Sequence, residues 1–202
     1  MIYRIRKDEI PKAAAVMAGA FRFDPLFRAF FEDAADSEKQ LRLLSELMLR
    51  YYLRYGEVAA PSAELEGVMA WGAGSISQMR FHRLILSGAA APLFRMGGAA
   101  MARMDELFGP AEEFRRKHTG RRPHNYLAMI GVSQEHQGRG FGGRLLRYLT
   151  ERSDSAGIPL YLETETERNV EIYSRFGFKV IEKFNIDRLN MPFWVMTREA
   201  AV

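Results

Sequence analysis

At 202 residues, with 48% hydrophobic and 27% charged side chains, the chain has the length and balance of one folded domain around one core, which excludes long disordered stretches. Its 29 basic and 25 acidic residues leave a net charge of +4 with no basic run longer than three, which argues against a nucleic-acid stripe and admits an anionic small ligand. Cysteine is absent, so disulfides, a thiolate nucleophile and cysteine-based metal sites are excluded, and the four scattered histidines show no metal-ligand spacing.

Ile2 to Arg6 alternates apolar and polar residues, as a half-buried strand does. Asp8 is then placed to cap a helix with Pro11 in its first turn and Ile10, Ala14, Met17 and Phe21 on its apolar face. No basic leader, clean apolar run and cleavage site occur in order, and no apolar stretch approaches the roughly 18 residues of a membrane span. A cytoplasmic protein without a membrane partner is expected. Pro25 interrupts the helix at Asp24, where the carboxylate suits a turn cap or a cationic acceptor. A helix over 37–55 follows, with Leu41, Leu44, Met48, Tyr51 and Tyr52 on one side and Gly56 at its end.

Strands at 57–60 and 67–73 flank a turn. The segment 77–118 is helical in pattern, broken by Gly88, Pro92, Gly97, Gly98 and Pro110, and rich in Met79, Phe81, Phe94, Met96, Met101, Met104, Phe108 and Phe114. It reads as a helical layer and as an adaptable wall of an acceptor site. Strands are expected at 126–132, 160–163, 178–185 and 193–197, with helices over 141–156 and 168–176. The order gives a single α/β layered domain over 1–202, with a mixed, mostly antiparallel sheet of six to seven strands flanked by helices.

The strand–loop–helix over 126–156 carries the most chemistry. Gly138-Arg139-Gly140-Phe141-Gly142-Gly143 places four glycines among six residues just before a helix, where free backbone N–H groups and the helix dipole favour a phosphate. The run also satisfies G-x-G-x-x-G, with Glu163 some 20 residues on, as a dinucleotide site asks. Against that reading, the polar residues Ser133 to Gln137 separate strand and glycines, and too few strands follow for two mononucleotide halves. A plain flexible connector is the third reading.

The pattern Gln-x-x-Gly-x-Gly at Gln137, Gly140 and Gly142, within Ile130 to Leu146, resembles the acetyl-CoA signature of the GNAT superfamily of N-acetyltransferases. The likeness continues through Leu160 to Thr164, Asn169, and Tyr173 to Phe178. The Gly131-Val132-Ser133 and His136-Gln137-Gly138 pieces, Leu162-Glu163-Thr164 and Ala20 to Pro25 look most like the puromycin acetyltransferase branch. The resemblance implies a GNAT-like fold, acetyl-CoA as donor and no metal. Backbone groups of Ile130, Gly131 and Val132 would pair with the pantetheine arm. Gln137 would shape the loop, and Gly138, Arg139, Gly140, Phe141, Gly142 and Gly143 would hold the pyrophosphate. Asn169 would bind the pantetheine arm and Tyr173 would be the general acid. A phenol stays protonated at neutral pH and suits a departing thiolate.

Direct attack by an amine also needs a base, for which Glu163 is the first choice; an oxyanion donor is expected from a backbone N–H of the central strand. His124 reads as a surface residue and His136 as part of the loop. The expected acceptor is the primary amine of a small molecule, and the chain a monomer or homodimer. A protein or peptide acetyltransferase and a non-catalytic acyl-CoA sensor are the alternatives.

Overall fold

The computed structural model describes residues 1–31, 36–98, 102, 109, 113–120, 122–186 and 191–201. Met101, Met104, Phe108 and Pro110 of the expected wall lie outside the described residues. Strand β1 is only Tyr3–Arg4. Helix α1 spans Ile10–Phe21, and its cap differs from the expected one. Asp8 sits inside a 3-10 turn, and the Glu9 carboxylate reaches back to accept from the Arg6 N–H at 2.9 Å. Asp24 caps α2 (Pro25–Phe30), accepting from the N–H groups of Leu26 at 2.9 Å and Phe27 at 3.3 Å. Helix α3 spans Ser37–Tyr55. It is buried on more than the expected side, since Leu43, Leu47 and Leu49 join Leu41, Leu44, Tyr51 and Tyr52 in the core.

The remaining elements are β2 (Glu57–Ala60), β3 (Gly67–Ala73), α4 (Phe81–Ser87), α5 (Ala90–Met96), β4 (Asn125–Val132), α6 (Phe141–Ala156), β5 (Leu160–Thr164), α7 (Glu167–Ser174), β6 (Lys179–Ile186) and β7 (Met191–Arg198). Residues 113–119 are also helical. The strands form one seven-stranded sheet in the order β1-β2-β3-β4-β5-β7-β6. Only β4 and β5 pair in parallel; the other neighbours are antiparallel.

Helices α1 to α5 cover one face of the sheet and α6 and α7 the other, giving two cores. Alternation along β3 feeds both: Val68 and Ala70 enter the first core, Met69 and Trp71 the second. Strand β4 breaks its own alternation. Met69 faces Ile130 and Ala70 faces Met129, but Trp71 faces Leu127, so Ala128 is an extra residue in a β-bulge. Leu127 therefore enters the second core and Met129 the first, although they are two residues apart. Gly131 lies against α1; a Cβ there would meet the Ala20 Cβ at 2.9 Å and the Met17 sulfur at 3.2 Å.

Candidate active site

The bulge sits where β4 leaves β5. The two strands pair only through Asn125↔Leu160 and Tyr126↔Tyr161. Beyond those pairs β4 keeps β3 on one side, with Val132 opposite Gly67 and Gly131 opposite Val68, while β5 keeps β7 through Thr164. A wedge is left inside the sheet, with the backbone of Ile130 to Val132 along one wall. Interior backbone groups demand hydrogen bonds, so an extended polar ligand fits there as an added strand.

The wedge leads to the glycine loop. The Gln137 side chain donates to the Val132 carbonyl at 3.2 Å and folds the loop onto the end of β4. Gly138 and Gly140 adopt φ of 75° and 83°, a left-handed backbone that side chains rarely take. Gly140 is the N-cap of α6, and no side chain caps that end and no acidic residue lies in its first turn. The N–H groups from Phe141 onward are thus left for an outside acceptor, and the dipole favours an anion. Arg139 lies over the Phe141 ring at 5.6 Å, and Arg144 donates to the Pro61 carbonyl at 3.1 Å. The loop fits the pyrophosphate expected of it.

At the far end of β5 the structure gathers carboxyl groups into two settings. Glu163 is buried, its side chain 6% exposed, and Arg115 from the helical stretch 113–119 lies 3.4 Å away. The Arg115 guanidinium also sits 4.5 Å from the Tyr126 ring centroid. Burial pushes the Glu163 carboxyl up to about 7, against the opposing pull of Arg115 and of the phenols of Tyr126 and Tyr161. The Tyr161 hydroxyl itself is buried without a hydrogen bond of standard geometry, so its effect on Glu163 is one of proximity. His124, read as a surface residue, is half-buried, with Nε2 buried and unpartnered, and burial lowers its basicity.

The raised Glu163 value has a sign that can be tested. Its folded-state pKa lies above its ordinary 4.5, so the contribution to stability is complete below that pH and is lost as pH rises through about 7. The Glu163→Gln variant should therefore gain on the wild type between about pH 5 and pH 8, by up to about 3 kcal/mol. Loss of the Arg115 partner sets only a constant offset. Thermal melts of both proteins across that range measure the slope; a flat difference would contradict the burial argument.

Glu165 follows two residues after Glu163. Its carboxyl is in hydrogen-bond contact with Asp24 and receives the Asn169 side-chain amide at 3.5 Å. Burial and the Asp24 charge raise the Glu165 pKa. Thr166 caps α7 by accepting from the Asn169 N–H at 3.2 Å, which aims the next turn, with Tyr173, at the same place. Tyr173 is 9% exposed, and burial, then Glu165 and Asp24, raise its phenol. The structure thus folds the glycine loop onto the end of β4, carries Asn169 and Tyr173 on α7 just after β5, and puts Glu163 behind Arg115.

Residues 100–180, which contain the β4–loop–α6 unit, match the family model for the Acetyltransferase (GNAT) domain. Over that stretch the chain is similar to GNAT acetyltransferase domains. An uncharacterized N-acetyltransferase of Schizosaccharomyces pombe is 25% identical over 205 residues, covering 97% of this chain and 82% of the relative. Among solved structures, a histone acetyltransferase HPA2 and related acetyltransferase of Corynebacterium glutamicum superposes with a TM-score of 0.66 at 22% identity, over 100% of this chain and 97% of the other. Arylalkylamine N-acetyltransferase 2 of Aedes aegypti gives a TM-score of 0.70 at 13% identity, over 100% and 99%. The GNAT-like fold accounts for the wedge and the loop together.

Sequence reasoning did not single out Arg115, Glu165, Tyr126 or Tyr161. Arg115 had no signal: its partner is 48 residues away. Glu165 had none either: it lies just past the end of β5, and its neighbour Asp24 is far off in the chain.

Proposed function

We propose that this chain transfers the acetyl group of acetyl-CoA to the primary amine of a small molecule, by direct attack within a ternary complex. The observation that supports the proposal is the wedge between β4 and β5, with the glycine loop folded onto the end of β4 and the uncapped α6 N-terminus beyond it. Bound there, acetyl-CoA supplies an acyl group activated by a thiol leaving group. The β4 backbone at Ile130 to Val132 binds the pantetheine arm, Asn169 adds a side-chain hydrogen bond, and Gly138 to Gly143 with Arg139 hold the pyrophosphate. Tyr173 protonates the departing sulfur. Its buried phenol keeps its proton at neutral pH. Glu163 is the expected base, and a carboxyl near 7 suits that role, but reaching an amine requires Arg115 to be displaced. The protein acts in the cytoplasm as a monomer or homodimer.

The covered side of Glu163 supports a small acceptor over a protein one, because Arg115 and residues 113–119 occupy the space an open groove would need. The names of the structural neighbours include both kinds, arylalkylamines and histones. An acceptor screen reporting CoA release decides. Small primary amines, among them puromycin as the branch resemblance asks, should be turned over, and peptides should not. Absence of any acetyl-CoA thermal shift would end the proposal at its first step, and turnover of peptides alone would replace it by the protein acetyltransferase reading.

A further inference from the structure

Two acidic side chains in contact, both partly buried, form an unusual pair. Asp24 arrives from the junction of α1 and α2, and Glu165 from the turn between β5 and α7. Two carboxylates cannot both stay ionised at such close quarters, so one proton is held between them. The hydrogen bond favours the proton on Glu165, with Asp24 as the acceptor that also takes the Leu26 and Phe27 N–H groups. The groups acting on the two carboxyls are each other and backbone N–H groups; Asn169 touches Glu165 from α7, and no Lys, Arg or His is among the groups that shift either. The pair thus carries one negative charge, with no cation among the described residues shifting either carboxyl.

A second feature points to the same spot. The Tyr173 side chain is nine-tenths buried, lies within electrostatic reach of both carboxyls, and its hydroxyl makes no hydrogen bond to any described residue. The ring is buried, but the hydroxyl oxygen is not sealed from solvent, so water or a ligand completes it. Phenol and carboxyl pair therefore lie close together beyond the end of β5.

We propose that the Asp24–Glu165 pair docks the acceptor's ammonium group and takes its proton, and that Tyr173 and this pair together pass protons from nitrogen to sulfur. This rests on the acetyl-transfer reading above. The proton count closes. The ammonium gives one proton to the pair, which becomes doubly protonated, and leaves a neutral amine. The nitrogen lone pair forms the bond to the acyl carbon and the carbon–sulfur bond breaks, its electron pair going to sulfur. Tyr173 hands its proton to that sulfur, and the second proton shed by nitrogen restores the phenol. The pair then releases its extra proton to water and returns to its singly charged state. Glu163 need not leave Arg115.

The experiment uses the full chain with acetyl-CoA, in wild type, Glu165→Gln, Asp24→Asn and Glu163→Gln. Asparagine keeps the α2 cap, and glutamine keeps the shape at 165. With agmatine and 2-phenylethylamine as acceptor probes, together with any amine the screen turns over, kcat/KM should fall at least 100-fold in Glu165→Gln and Asp24→Asn. The acidic limb of their pH profile should disappear, while the acetyl-CoA thermal shift stays. A loss of that size in kcat/KM in Glu163→Gln, with both pair variants near the wild-type rate, returns the base to Glu163 and overturns the pair. Without any acceptor, the melting temperature of Glu165→Gln should rise relative to wild type by roughly 5 °C from pH 6 to pH 9, as the wild type alone loses its shared proton. Wild-type activity in Glu165→Gln, or a pH-independent melting difference, overturns the pair. If acetyl-CoA binds but no amine is turned over, the transfer reading fails and the relay with it, and the melts still decide whether the carboxyls share a proton.

Discussion

Replacement of Gly140 by valine is expected to abolish the stabilisation that acetyl-CoA gives the protein. Gly140 is the N-cap of α6 at φ 83°, and a Cβ added there would meet nothing within 4 Å. The penalty is therefore one of backbone, not of space. A β-branched residue in a left-handed conformation costs about 1–2 kcal/mol, and the loop relaxes by turning its N–H groups elsewhere. The wild type at a hundredfold excess of ligand over Kd gains about 2.7 kcal/mol, or several degrees in Tm. The valine variant should melt near the unliganded wild type with or without ligand. Gly142→Ala is the contrast. Its Cβ would meet only the Val132 side chain, at 3.5 Å, in ordinary contact. Inside a helix alanine outranks glycine by about 0.5–1 kcal/mol, so this variant should be more stable unliganded and bind more weakly, as its methyl enters the anion's space. An undiminished ligand shift in Gly140→Val would remove the loop from the donor site.

The second large effect is on turnover. Tyr173→Phe should lower kcat by about 10²–10⁴-fold, the usual share of one proton-transfer group, with the acetyl-CoA thermal shift unchanged. Stability should hold or rise slightly. The ring stays packed 5.8 Å from Phe178, and the lost hydroxyl has no hydrogen bond to any described residue. A variant that turns over at the wild-type rate would move the general acid elsewhere or favour the acyl-CoA sensor.

What was legible in the sequence was local. The spacing of Gly138, Gly140 and Gly142 after an apolar run announces strand, loop and helix within a single stretch, and α6 occupies 141–156 as expected. The uniformly apolar run at 126–132 gives no sign of the bulge at Ala128, because a buried strand carries no polar residue to show a change of face. Asp24 was readable as a cap, which it is. That it also meets Glu165 follows only from the sheet bringing the end of β5 beside the start of α2. Glu163 was readable as a carboxylate at a strand end, but its burial behind Arg115 depends on how the 113–119 stretch lies over β5.

The shallow junction between β4 and β5 divides the sheet mechanically. Four strands, β1 to β4, form one plate, and β5, β7 and β6 form another; two residue pairs join them at one edge like the spine of a book. On the acetyl-transfer reading, a donor bonded along β4 would span the gap and tie the two plates together, so amide exchange in β5 should slow when acetyl-CoA is added.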